Sequence, residues 1–128
     1  MTLIDTSAWG DFFRGVSGLA DSVDQLLESG DAAICGPIVT ELRRGLRSDA
    51  ERGEVLPLLG GCHELGEPNS LWRDAGDLGF ALRRKGVAAK TLDLLIATHA
   101  LAHDVPLLTC DADFEAMRGA GIPLRLAE

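Results

Sequence analysis

Four carboxylates stand where an α/β chain would gather its chemistry: Asp5, Glu41, Asp93 and Asp111. Asp5 directly follows the apolar run Thr2-Leu3-Ile4, and Asp111 follows Pro106-Leu107-Leu108-Thr109 after one intervening residue. Asp93 falls two residues past Thr91, an expected helix cap. Glu41 falls in the second turn of a helix opened by Gly36-Pro37. Singly, each aspartate fits an ordinary structural place, since Asp caps helices and favours their positive end. Glu41 fits less well, because Ile38 and Leu42 should face a core and an unpaired acid beside them is costly. Close carboxylates repel one another unless a cation is present. Mg²⁺ prefers oxygen ligands and keeps several waters. One or two such ions can hold a phosphate, lower the pKa of a water and stabilise a leaving oxygen. The chemistry this set suits is metal-dependent phosphodiester hydrolysis, with no Ser–His or Cys–His pair required.

Residues so distant in sequence need a particular architecture to meet. Short apolar strands are expected at 2–4, 32–35 and 106–109, a further strand at 62–65, with 124–126 closing the sheet. Between them lie amphipathic helices. One is capped by Thr6 or Ser7 and carries Trp9, Phe12 and Phe13; others run from about Ser17 to Glu28, from Pro37, and from Ala50 to Leu59. A long one spans Pro68 to Arg84. The next starts at Thr91 with Leu92, Leu95, Ile96 and Ala100 on its apolar face, and a short one follows Asp111. Gly30 and Gly86 end two of these helices. Alternating strands and helices imply βαβ units and a mainly parallel sheet covered on both faces. In such sheets the ligand site lies beyond the carboxyl ends of the strands, where Asp5 and Asp111 emerge.

Composition narrows the field. A chain of 128 residues, 46% apolar and 25% charged, reads as one folded domain over 1–128 with a core that needs no disulfides. No apolar run reaches membrane-spanning length. The start, MTLIDTSAW, lacks the basic-then-apolar pattern of a signal peptide, so a cytoplasmic location is expected. Cys35, Cys62 and Cys110 form no CxxC pair, which excludes a zinc ribbon or thioredoxin-type motif and leaves three small buried apolar residues. Twelve Lys and Arg against 20 Asp and Glu give a net charge of −8. That speaks against nucleic acid as a partner unless acids are gathered and neutralised by metal.

Four segments carry a family resemblance: Ile4-Asp5-Thr6-Ser7, Val39-Thr40-Glu41-Leu42, Thr91-Leu92-Asp93-Leu94-Leu95-Ile96-Ala97, and Leu108-Thr109-Cys110-Asp111-Ala112-Asp113-Phe114. Together they resemble the PIN-domain family, and length and motif order look like the VapC-type toxins of bacterial toxin–antitoxin pairs. The resemblance runs nearly end to end. It implies a three-layer α/β/α sandwich, Mg²⁺ or Mn²⁺ dependence, endoribonuclease activity, a homodimer, and inhibition by a cognate antitoxin. Carried over by motif, Asp5, Glu41, Asp93 and Asp111 become the catalytic metal ligands. Asp113 is close enough to replace Asp111 or support it, but is expected to cap the last helix with Phe114 packed beneath. The hydroxyl of Thr6 or Ser7 either positions a phosphate or water or caps its helix. Lys90 and Leu92 depart from residues common in relatives.

Other features are weaker. His99 and His103 have i, i+4 spacing but no HExxH motif, so a helix face is expected rather than a zinc site. His63 has no visible partner. Arg43, Arg44 and Arg47, and Arg83, Arg84, Lys85 and Lys90, form either a phosphate-contacting rim or solvated helix surface. With 5% aromatics and no Tyr, base stacking is a poor source of specificity, and Trp9 and Trp72 are expected in a core or interface. Trp9, Phe12 and Phe13 suit core packing, a dimer face or an antitoxin groove. Rival readings are a haloacid-dehalogenase-type phosphatase with Asp5 as nucleophile, which needs an Asp where Ser7 stands, and a receiver-like regulatory domain. The receiver's paired acids and late lysine are not evident. A PIN-type protein that only binds is a third.

Overall fold

The computed structural model describes residues 1–16 and 18–127 and forms short strands alternating with helices. In order these are β1 (Thr2–Ile4), α1 (Thr6–Arg14), α2 (Ala20–Ser29), β2 (Ala32–Ile34), α3 (Gly36–Gly45), α4 (Asp49–Gly60), β3 (His63–Glu64), α5 (Leu71–Arg84), α6 (Thr91–His103), β4 (Leu107–Leu108) and α7 (Ala112–Gly119). The strands pair in the order β3-β2-β1-β4, and every pairing is parallel. Successive strand residues point to opposite faces. Leu3 and Ile4, Ala32, Ala33 and Ile34, and Leu107 and Leu108 are all buried, so helices cover both faces and the three-layer α/β/α expectation holds. Among the described residues, no helix is long and apolar enough to cross a membrane.

The strand order places the functional crevice. The chain steps outward from β1 to β2 to β3, then returns to lay β4 on the other flank of β1. Connections therefore diverge between β1 and β4, and the crevice beyond their carboxyl ends is where such sheets bind ligands. The strand register sets Ile4 against Leu108, so the segments after these residues emerge side by side.

Several boundaries differ from the sequence expectation. The side chain of Asp5, not Thr6 or Ser7, caps α1 by accepting from the Ser7 amide. Asp111, not Asp113, caps α7 by accepting from the Asp113 amide at 2.9 Å. Thr91 is the first helical residue of α6 rather than its cap; Lys90 holds that place and makes no side-chain cap bond. The described part of α2 begins at Ala20, and Ser17 lies outside the described residues. α5 begins at Leu71, three residues beyond Pro68. The segment 124–126 contributes one parallel bridge, Leu126 to Leu107, instead of a full strand.

α6 is the central helix. Residues Leu95 to Ala100 are all buried, which marks a helix enclosed on every side rather than an amphipathic one. Its polar groups are satisfied internally: Thr98 Oγ1 donates to the Leu94 carbonyl at 2.7 Å and His99 Nδ1 meets the Leu95 carbonyl at 2.8 Å. Leu92, expected on the apolar face, is instead 36% exposed. Trp9 is wholly buried, stacked on Phe13 and edge-on to Phe12, so it is core and not an interface.

Candidate active site

Asp5 emerges from β1 and is only 4% exposed. Its Oδ2 accepts from Ser7 Oγ at 2.7 Å and from Thr109 Oγ1 at 2.8 Å. Thr109 follows β4, so this carboxylate ties the ends of β1 and β4 together. The amide of Asp111 donates to Thr109 Oγ1 at 3.0 Å, and the amide of Cys110 donates to Ser7 Oγ at 3.2 Å. Two hydroxyls thus fix the carboxylate and the loop that carries Asp111. Thr109 is a positioning group that sequence reasoning missed. Its β-branched type matched the strand, and only its place directly after β4 hinted at more. Ser7, rather than Thr6, takes the positioning role toward Asp5.

Glu41 is half-buried on α3 and accepts from Thr6 Oγ1 at 3.0 Å. The acid expected to be costly beside Ile38 and Leu42 is therefore partnered. Thr6 steers Glu41 across from another helix.

Asp93, Asp111 and Asp113 form the tightest group. Each offers a carboxylate oxygen, and these oxygens lie within 4.8 Å of one another. Asp93 Oδ2 is buried and, among the described residues, has no hydrogen-bond partner. Burial pushes the Asp93 carboxyl up to about 6, with further upward pressure from Asp111, Asp5, Asp113 and Glu41. Of the four acids singled out from the sequence, Asp5, Glu41 and Asp111 thus bear electrostatically on the fourth, Asp93, and Asp113 joins them. Asp5 and Glu41 stand outside the 4.8 Å group but within its electrostatic reach. Asp113 was placed by its spacing at a helix start. Its convergence on Asp93 depends on how α7 turns after β4, which periodicity does not report.

Cys35 sits behind this cluster. Burial pushes its thiol up to about 12, and Asp5 and Glu41 add to the rise against a lowering hydrogen bond to the Ile38 backbone. It is a protonated, inert packing group. Cys62 is half-buried and Cys110 is exposed, so the expectation of three buried cysteines holds only for Cys35.

The histidines belong to the frame. His99 is buried, His103 Nε2 meets the Gly66 carbonyl at 2.7 Å, and His63 Nε2 meets the Gly30 carbonyl at 2.8 Å, a partner the sequence did not reveal. Trp72 is 69% exposed, contrary to a place in the core.

The donor set has a definite chemical character. Every close donor is a carboxylate oxygen, one buried oxygen is orphaned, and burial followed by mutual repulsion raises the central carboxyl. That combination fits a hard divalent cation with oxygen ligands.

Comparison with known proteins agrees with this geometry. The PIN domain pattern matches residues 2–120. The chain is similar to Ribonuclease VapC11 of Mycobacterium tuberculosis, at 34% identity over 122 residues and 91% of each chain. It is equally similar to a VapC ribonuclease of Mycobacterium bovis, at 34% identity over 91% of each chain. Among solved structures, it resembles the DNA-bound VapBC of Salmonella typhimurium with a TM-score of 0.78 at 18% identity, covering 98% of this chain and 96% of that one. FitAcB of Neisseria gonorrhoeae gives 0.73 at 24% identity, covering 100% and 97%. At these identities the structural likeness speaks to fold.

Proposed function

Because the chain belongs to the PIN domain family, we propose that it is a metal-dependent endoribonuclease and the toxin of a toxin–antitoxin pair. The observation that carries this reading is Asp93 Oδ2, buried and unpartnered among acids that destabilise its charge. Asp5, Glu41, Asp93 and Asp111 are the residues that would hold the ion, with Asp113 beside Asp111. Mg²⁺ is the preferred ion and Mn²⁺ the alternative, since both accept an all-oxygen set. When bound, such an ion supplies Lewis-acid polarisation of a phosphate and a water of lowered pKa.

The chain's own residues then have distinct tasks. Ser7 and Thr109 hold Asp5 through Oδ2, which leaves Oδ1 for a ligand. Thr6 holds Glu41 through Oε1 in the same way. Both carboxylates enter the reaction preset in orientation, so little ordering remains when substrate arrives. Asp93 needs to be ionised to act, and a cation favours that form. Arg43, Arg44 and Arg47 extend beyond Glu41 on and after α3 and are exposed, suiting contacts to substrate phosphates.

The whole span 1–128 is read as a single domain of this kind, acting in the cytoplasm on an RNA substrate as a homodimer. A cognate antitoxin suits the exposed apolar end of α1, where Phe13 and Val16 face solvent. The deciding experiment is RNA cleavage by the purified chain with MgCl₂ or EDTA, beside Asp5→Asn and Asp93→Asn. Cleavage should require the metal and vanish in both variants; undiminished cleavage in either would refute these roles.

A further inference from the structure

A cavity of about 600 Å³ opens on α3 and α6, the helices that carry Glu41 and Asp93. Its wall includes Thr40 and Leu92, the residues immediately before those two acids in the chain. Pro37, Leu65, Leu71 and Leu95 supply apolar walls, and Trp72 stands at its margin. Trp72 is the most exposed large apolar side chain among the described residues. Its Nε1–H donates to Glu67 Oε1 at 3.1 Å. A tethered indole with an uncovered face is a stacking platform.

The polar groups of the cavity are nearly all acceptors. Glu64 and Glu67 bring carboxylates. His99, only 2% exposed, presents its Nδ1 to the Leu95 carbonyl at 2.8 Å. A carbonyl only accepts, so Nδ1 carries the proton and Nε2 is left as an acceptor. Among the described residues, no hydrogen bond engages that Nε2. A phosphate would be repelled here. The fitting guest is flat, uncharged and edged with N–H donors.

We propose that this cavity holds one unstacked base of the RNA next to the cleaved phosphate, stacked on Trp72, and that it prefers guanine. Guanine N1–H and N2–H₂ are adjacent donors that match one carboxylate, as amino groups of bases pair with Glu or Asp elsewhere. Uracil turns carbonyl oxygens toward the same carboxylates and is disfavoured. This inference rests on the nuclease reading for the presence of RNA, but its own test needs no cleavage. A second copy of the chain or an antitoxin segment is the competing occupant. Walls shared with the helices that carry Glu41 and Asp93, and a donor-seeking lining, favour the base.

Trp9 is buried and Trp72 exposed, so emission of the full chain reports on the cavity. In EDTA, the uncharged nucleoside guanosine should quench that emission saturably and bind at least several-fold more tightly than uridine, with inosine, which lacks the N2 amine, falling between. Glu67→Gln keeps the acceptor for the indole and should erase the guanosine preference. Trp72→Ala should weaken a short guanine-containing RNA by about tenfold in fluorescence anisotropy, the size expected for one stacked base. Absence of quenching by any nucleoside, or an unchanged guanosine-to-uridine ratio in Glu67→Gln, overturns the proposal. So does a Trp72→Ala variant that binds RNA normally but changes its mass in solution, since the cavity is then a protein interface. Failure of the nuclease reading looks different: no cleavage in MgCl₂, with nucleoside binding intact.

Discussion

At Asp93 the cost of gathering these acids falls on a single carboxyl. Its value of about 6, against an ordinary 3.8, arises first from burial and then from the neighbouring acids. A carboxyl raised in the folded state binds its proton more tightly there than when unfolded. The metal-free fold is therefore most favoured by this group below pH 3.8 and loses that contribution as pH rises through about 6. Asp93→Asn removes the charge and keeps the shape. Discounted for the screening of a half-exposed group, the gain is about 1 kcal/mol, or roughly 3–5 °C in Tm for a chain this size. Differential scanning fluorimetry in EDTA should show it in full at pH 7.5, shrunken at pH 4.5 and gone at pH 3. The same variant should lose the stabilisation that MgCl₂ gives the parent chain. In the parent that stabilisation should fade as pH drops below about 6, because protonated Asp93 is no ligand. Thr109 allows a second check. Thr109→Val deletes its bond to Asp5 Oδ2 and the acceptor for the Asp111 amide. It should cost about 1–3 kcal/mol in urea unfolding and depress cleavage, while Thr109→Ser should restore both.

At the scale of elements, α5 against α6 is the packing that sets where Asp93 stands. A Cβ built on Gly79 of α5 would lie 2.9 Å from Leu94 Cδ1, the side chain next to Asp93, whereas one on Gly76 meets nothing within 4 Å. Both glycines cost helix stability relative to alanine. Gly76→Ala should therefore raise stability by roughly 0.5–1 kcal/mol. Gly79→Ala should forgo that gain, because Leu94 must give way, and should alter the MgCl₂ response that Gly76→Ala leaves intact. Paired thermal melts with and without MgCl₂ separate the two. These elements were largely legible in the sequence: short apolar runs marked β1, β2 and β4, though not the exposed His63–Glu64 of β3, and glycines at 30 and 86 marked helix ends. Asp5 and Asp111 could be placed at one sheet edge by the βαβ rule alone. The rest was not legible for physical reasons. Asp and the hydroxyl residues compete for the same cap, so composition did not reveal that Asp5 and Asp111 win it. The full enclosure of α6 depends on which helices crowd it, and Leu92 escapes only because it precedes the enclosed turns. Trp72 looked like core because the helical stripe of α5, with Leu71, Ala75 and Leu82, lies just beside it in sequence.

For the whole molecule the difficulty is charge: a chain of net −8 must hold a polyanion. The acid cluster, once it holds a cation, no longer repels, but an ion at one point does not hold a strand along its length. Three of the arginines, Arg14, Arg118 and Arg125, are already paired with acids. Among the described residues Arg43, Arg44 and Arg47 have no acidic side-chain partner, and all are exposed. If these three meet phosphates, binding should carry the salt dependence of about three contacts. For single strands that is a slope of about −2 in log K against log salt. The variant Arg43→Gln/Arg44→Gln/Arg47→Gln should then bind RNA more weakly at low salt and show a slope near zero, read by fluorescence anisotropy of a catalytically silenced Asp5→Asn background. A slope that persists in this variant would point to Arg83, Arg84, Lys85 and Lys90, the other exposed basic group, whereas an otherwise acidic surface gives none or one of opposite sign. A parent chain with no salt dependence would mean that the arginines are solvated and that the strand is held only at the acids and by its bases. In that case affinity would rest on the metal and on stacking, and would survive high salt where basic nucleic-acid binders release their target.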